Sequence, residues 1–127
     1  KYLEKYGIPK TINDLNKHRF ISFGKGAPSP VFNPDWALKL GVKDNKKRKS
    51  IMKVNSVMGL LLAVESGVGL AALPDYLVSS STNVIKVLPN SAGPITEAHF
   101  VYPQSLKNVA RVQAFRNFLY SKIGDWK

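Results

Sequence analysis

Cysteine is absent from this chain, which excludes disulfide frameworks, thiolate nucleophiles and thiolate metal sites together. Acidic residues are scarce: 8 Asp and Glu stand against 19 Lys and Arg, a formal charge of +11. Those eight carboxylates are scattered along the sequence. Only two histidines occur, His18 and His99, without the clustered ligands that a metal site needs. His18 follows Asp14 by four residues, where a helical turn would pair them, and His99 falls in a predicted strand beside Phe100; both read as structural or surface residues. No G-x-S-x-G elbow, H-E-x-x-H pair or phosphate loop is present. Neither an enzyme nor a cofactor is therefore expected. The longest apolar run, residues 57–64, is far shorter than the ~20 residues that cross a bilayer. With no signal peptide visible, the expected location is the cytoplasm and no membrane partner is expected.

What is present is an ordinary globular composition, 44% hydrophobic and 21% charged over 127 residues, enough for one domain or one lobe of a larger one. The chain opens at Lys1 in what reads as the body of a domain, so a piece of a longer protein is expected. Residues 1–6 are helix-compatible and stop at Gly7-Ile8-Pro9, because the residue before proline is pushed out of the helical region. A short helix fits 13–16 and a strand fits 19–23, followed by a Gly- and Pro-rich loop over 24–34. Residues 36–40 and 50–54 are strand candidates flanking a basic segment, and predict a hairpin with a long tip. Residues 55–67 have the grammar of a whole helix, with Asn55 or Ser56 as cap and Gly67 past the end. Its body is apolar on nearly every face and is expected to be buried on most sides. Residues 69–73 predict a short strand covered on both faces, as in a parallel sheet, and a helical turn follows at 75–78. Residues 84–88 alternate up to Pro89, the last strand is placed at 98–102, and 79–82 is a loop. From residue 108, Val109, Val112, Phe115, Phe118 and Leu119 form the stripe of an amphipathic helix.

Gly67-Val68-Gly69-Leu70-Ala71-Ala72 spells G-x-G-x-x-A, but a dinucleotide site needs a strand before the glycines and a helix after them. Here the order is reversed, which makes the motif a helix-to-strand turn. Lys46-Lys47-Arg48-Lys49 has no interleaved aromatic to stack bases and no helix to enter a groove, so it reads as a solvated loop tip. Phe20, Phe23 and Trp36 read as core, with Phe23 kept as a ligand candidate because it ends a strand where Gly24 opens a loop. In open α/β sheets ligands bind outside the carboxyl ends of the strands. Three segments end at that edge and are expected to converge: Ser22, Phe23 and Gly24; Asn55, Ser56 and Val57; Leu73 and Pro74. The free amides of a helix start favour a carboxylate, sulfate or phosphate. Asn55 and Ser56 either only cap the helix or do both.

The order of elements resembles the effector-binding domain of LysR-type transcriptional regulators. The matching words are Tyr2-Leu3-x-x-x-Gly7-x-Pro9-x-x-x-x-Asp14-Leu15-x-x-His18, Trp36, Gly67 through Tyr76, Val84-Ile85-Lys86-Val87-Leu88-Pro89, Val101-Tyr102-Pro103, and Arg111-Val112-x-Ala114-Phe115-x-x-Phe118-Leu119. They cover nearly the whole chain. The resemblance implies an α/β fold of the periplasmic-binding-protein type 2, with a mostly parallel sheet flanked by helices, in which two lobes enclose a small effector. Residues 1–15 would end the first lobe and form the first crossover, 16–103 the effector-binding subdomain II, and 104–127 the second crossover and a returning helix. The second lobe would be incomplete, and the stripe from Val109 to Leu119 would pack on what is missing, so dimerisation or domain swapping through that stripe is expected, with the regulator itself a dimer or tetramer. DNA would be bound only through an N-terminal helix-turn-helix outside this chain. An effector that is an anion or carries a carboxylate fits the helix start and the positive field. A solute-binding protein of a transport system, with the same fold, is the alternative reading.

Overall fold

The computed structural model describes residues 1–24, 35–43, 46–78, 83–91, 93–95, 97 and 99–123. Two compact units divide the chain, residues 1–96 and 97–127. In the first, helix α1 (Tyr2–Tyr6) stops at Gly7, whose φ of 80° ends the helix and whose N–H donates to the Leu3 carbonyl. A 3-10 turn (Ile12–Lys17) begins with a capping box: Thr11 accepts from the Asp14 N–H while the Asp14 carboxylate accepts from the Thr11 N–H. Two free amides at the turn's start are thereby satisfied by reciprocal bonds.

Strand β1 (Phe20–Phe23) is buried at all four positions, because it is the middle of the parallel arrangement. Strand β2 (Ser50–Val54) pairs with it in parallel, and Leu70 bridges Phe20, also in parallel, on the other side. Alternation sends Ile21 and Phe23 to one face and Phe20 to the other. Ile21 and Phe23 pack with Leu60 and Ala63, from helix α3 (Val57–Glu65). Phe20 packs with Leu15 and Leu38, the latter from helix α2 (Trp36–Lys39). Covered faces on both sides are what a parallel sheet requires.

Several expectations change. Residues 36–40 do not form a strand and no hairpin exists there: α2 is helical, and β2 pairs with β1. A five-residue, mostly apolar segment is ambiguous between strand and helix, and the deciding partner is distant in sequence. Arg48 donates to the Leu40 carbonyl at 2.7 Å and its backbone N–H to the Leu38 carbonyl at 2.9 Å, satisfying the end of α2. The strand expected over 69–73 shrinks to the single bridge at Leu70, flanked by bonds from Ile21 N–H to Leu70 O and from Leu70 N–H to Arg19 O, both 2.8 Å. α3 is less enclosed than its composition implies, with Met58 53% and Leu62 58% exposed. Helix α4 (Asp75–Val78) is the helical turn expected over 75–78. Residues 84–88 are not a strand; Leu88 adopts φ of 50° and packs on the Leu15, Phe20 and Leu38 cluster. The loop residues 25–34 and 79–82 lie outside the described residues.

The second unit holds a 3-10 turn (Gln104–Leu106) and helix α5 (Ala110–Ile123). Residues 99–102 are irregular, not a strand, and Ala98 lies outside the described residues. Phe100 is held instead by rings, Tyr102 at 5.3 Å and Phe115 at 5.7 Å between centroids. No helix among the described residues is long and apolar enough to cross a membrane.

Candidate functional site

The carboxyl ends of the parallel segments meet where β1 runs out. Gly24 N–H donates to the Val54 carbonyl at 2.9 Å, so the last residue of β2 is fastened to the first residue after β1. A Cβ on Gly24 would stand 3.6 Å from the Asn55 Cβ, which places the two turns side by side. Ser56 then starts α3, its hydroxyl accepting from the Gly59 N–H at 3.3 Å. By helix geometry the Val57 and Met58 amides, first in α3, have no intrahelical acceptor. Leu73 packs on the same apolar cluster as Phe23, and Pro74 accepts from the Leu77 N–H at 3.1 Å to open α4.

The eight candidate residues divide by exposure. Asn55 and Ser56 are exposed, whereas Gly24, Val57, Leu73 and Pro74 are half-buried. Ser22 and Phe23 are buried, 5% and 8% exposed, and Ser22 is the one buried polar side chain among the described residues. Phe23 is thus a core residue under the edge. The polar side chains exposed at this edge are the Asn55 amide and the Ser56 hydroxyl, beside the half-buried Gly24.

Two glycines set this geometry by close approach, Gly59, which sequence reasoning passed over, and Gly69 of the G-x-G-x-x-A string. A Cβ on Gly59 would come 2.6 Å from Val54 Cγ1, and one on Gly69 would come 2.6 Å from the Arg19 carbonyl oxygen. Gly59 lets the start of α3 lie against the end of β2; Gly69 lets the chain return close enough to bridge β1. A glycine inside an otherwise strong helical pattern was the available signal for the first. Gly67, at φ 80°, makes the turn after α3, so the G-x-G-x-x-A string is the helix-to-strand turn that its order implies.

The remaining polar candidates are structural. Among the described residues no group of three His, Asp or Glu side chains is placed to hold a metal ion. Asp14 does not pair with His18 by a hydrogen bond; its carboxylate takes the Thr11 N–H at 2.8 Å, the Thr11 hydroxyl at 2.9 Å and the Lys10 N–H at 3.1 Å. Those Thr11 and Lys10 bonds hold its pKa below the usual carboxylate value. The basic run is not a uniform solvated tip. Lys47 pairs with Asp35 at 2.6 Å, and Arg48 turns inward to Leu40 O, Asn16 Oδ1 and Ile12 O. Lys46 and Lys49 remain exposed.

A parallel sheet covered on both faces by helices, with turns gathered at the carboxyl ends of its strands, defines an α/β protein. The family model of the LysR substrate binding domain matches residues 1–123; the chain belongs to that family, and its fold is accordingly periplasmic-binding-protein-like, type 2. An uncharacterized HTH-type transcriptional regulator of Haemophilus influenzae is 31% identical to it over 106 residues, 80% of this chain and 35% of that protein. The chain therefore spans about a third of the length of the curated relative it matches. No solved structure matches it.

Proposed function

We propose that this chain is the effector-sensing part of a LysR-type transcriptional regulator, non-enzymatic and cytoplasmic, that binds a small anionic or carboxylate-bearing effector between two lobes. The observation that carries the proposal is the convergence of Gly24, Asn55 and Ser56 at the carboxyl edge of the strands, the place where open α/β sheets receive ligands. In this reading residues 16–103 form subdomain II, residues 1–15 the end of the first lobe and the first crossover, and 104–127 the second crossover with a helix returning to subdomain I. Ser22, Phe23, Leu73 and Pro74 shape the edge from below, while Asn55, Ser56 and the Val57 amide face the ligand. The positive end of α3 and the charge of +11 favour an anion. Binding works as a switch only if the effector's affinity differs between two lobe arrangements. The lobe arrangement then biases how an oligomer sits on DNA through an N-terminal helix-turn-helix. The likeness to a protein described as an HTH-type regulator supports this reading over a transport-system binding protein.

The test is a thermal-shift screen of the complete protein against carboxylates, phosphates, neutral compounds and amines. Stabilisation by an anion, lost when Asn55 and Ser56 are both changed to Ala, is the expected result. Stabilisation by neutral or cationic compounds alone would overturn the anionic effector.

A further inference from the structure

The word Tyr2-Leu3-x-x-x-Gly7-x-Pro9-x-x-x-x-Asp14-Leu15-x-x-His18 is not used by the candidate site, yet the structure draws its ends together. Tyr2 is 7% exposed although it stands at the start of α1. Its hydroxyl oxygen accepts the Arg19 N–H at 2.8 Å and lies 3.3 Å from His18 Nδ1. The roles in that contact follow the tautomer: in the neutral imidazole protonated at Nε2, Nδ1 accepts the Tyr2 hydroxyl proton while the oxygen accepts from Arg19. The rings add contact: Tyr2 lies 4.7 Å from Tyr6 and 5.8 Å from His18 between centroids. The middle of the word serves the same end, with Gly7 ending α1, Pro9 and Leu15 buried and Asp14 closing the capping box.

The geometry points to Tyr2 and His18 as a proton-operated latch that fastens α1 to the amino end of β1. Protonation of His18 puts an N–H where the tyrosine needs an acceptor, and leaves the Tyr2 proton without its partner. The charged groups around the latch give no strong counterweight. From α1, Lys5 lies 5.5 Å over the Tyr6 ring, and from the start of β1 the Arg19 guanidinium lies 5.2 Å over it. From the 3-10 turn, Asp14 is the carboxylate whose field favours the imidazolium, while its oxygen is already engaged by Thr11 and Lys10. The turn after α3 contributes Gly67 against the Tyr2 backbone and no charge. Burial outweighs Asp14 and holds His18 below its ordinary 6.5. The latched state thus holds fewer protons than the released one, is complete above about pH 6.5, and is lost as pH falls through the lower pKa of the latched imidazole. Its consequence for sensing rests on the reading of residues 1–15 as the first crossover: acid would free the hinge and shift the lobe equilibrium.

Segment-resolved hydrogen exchange on the complete protein, corrected for intrinsic rates, compares about pH 7.5 with a pH below the midpoint of the wild-type His18 ring titration, so that both protonation states are sampled. Wild type is expected to protect α1 and the Arg19 amide at the higher pH and lose that protection at the lower. His18→Asn, never charged but still offering an oxygen to Tyr2, is expected to keep protection at both. Tyr2→Phe is expected to lose it at both. Equal protection of wild type at both pH values, or the same loss in His18→Asn as in wild type, would overturn the latch. NMR titration of the wild-type His18 ring stands apart from any folding defect in the variants: a midpoint below 6.5 supports the latch, and one at or above it overturns it. None of these readouts uses an effector or DNA, so the latch and the sensor reading fail separately.

Discussion

At the level of single residues, the two close-approach glycines are not equivalent. At Gly69 an added Cβ meets the Arg19 carbonyl, which is backbone leading into β1; at Gly59 it meets the Val54 Cγ1 methyl. A methyl on a stiff β-branched side chain yields by rotation or small displacement, whereas a carbonyl fixed by the Leu70 N–H does not. Gly59→Ala also recovers about 0.5–1 kcal/mol of helix propensity. Equilibrium denaturation is therefore expected to show Gly69→Ala as the costlier change, by about 1–3 kcal/mol for overpacking, and Gly59→Ala closer to neutral. Ser56→Ala removes the α3 cap and is expected to cost about 1 kcal/mol, with a loss of anion-induced stabilisation beyond that seen for a distant cap. The cap itself was legible from Asn55-Ser56 ahead of an apolar run. The close approaches were not, since each is defined by an atom from another element, 5 residues away for Gly59 and 50 for Gly69.

At the level of elements, residues with strong local signals formed what their signals implied: α1 ended by Gly7, β1, α3 and α4, while the short helix expected over 13–16 is a 3-10 turn over Ile12–Lys17 capped by Thr11. The failures share a cause. Trp36 to Leu40, residues 84–88 and residues 99–102 are short, mostly apolar stretches whose state depends on which distant surface they meet, and α2 is helical because Leu38 fills the cluster under Phe20 while Arg48 holds its carbonyl end. Arg48 is the residue that charge-run reasoning misjudged. One guanidinium reaches Leu40 O at 2.7 Å, Asn16 Oδ1 at 2.8 Å and Ile12 O at 3.3 Å, and lies 5.8 Å over the Phe20 ring. A lysine ammonium cannot reproduce that fork. Arg48→Lys is expected to destabilise by about 1–3 kcal/mol, as for lost hydrogen bonds to a charged group, while Lys46→Gln two residues away is expected to stay within about 0.5 kcal/mol. Asp14 adds an acid dependence of known sign. Its pKa is held low by Thr11 and Lys10, so its stabilisation is present above the ordinary carboxylate value of 3.8 and is lost as pH falls. Asp14→Asn is expected to flatten that part of the stability profile.

At the level of the whole molecule, an apolar helix face and a large like charge act in opposition. Along α5 the stripe predicted from spacing is present, but Phe115 is 52% and Phe118 56% exposed, with Val112 and Leu119 half-buried. Contiguous exposed apolar side chains of this kind favour association. Two copies of a chain carrying +11 repel one another, and that repulsion is screened over about 10 Å at 0.1 M salt and about 3 Å at 1 M. If α5 joins copies through its apolar face, association must strengthen as salt rises; if ion pairs join them, it must weaken. Sedimentation velocity of this chain across a salt series is expected to show the mass moving from monomer toward dimer with increasing salt, and Phe118→Gln is expected to hold it at monomer throughout. A monomer at every salt concentration and at high protein concentration would remove α5 as a self-association surface. It would leave the edge at Gly24, Asn55 and Ser56 untouched, because that edge is built within residues 1–96 and needs nothing from α5 to hold its geometry.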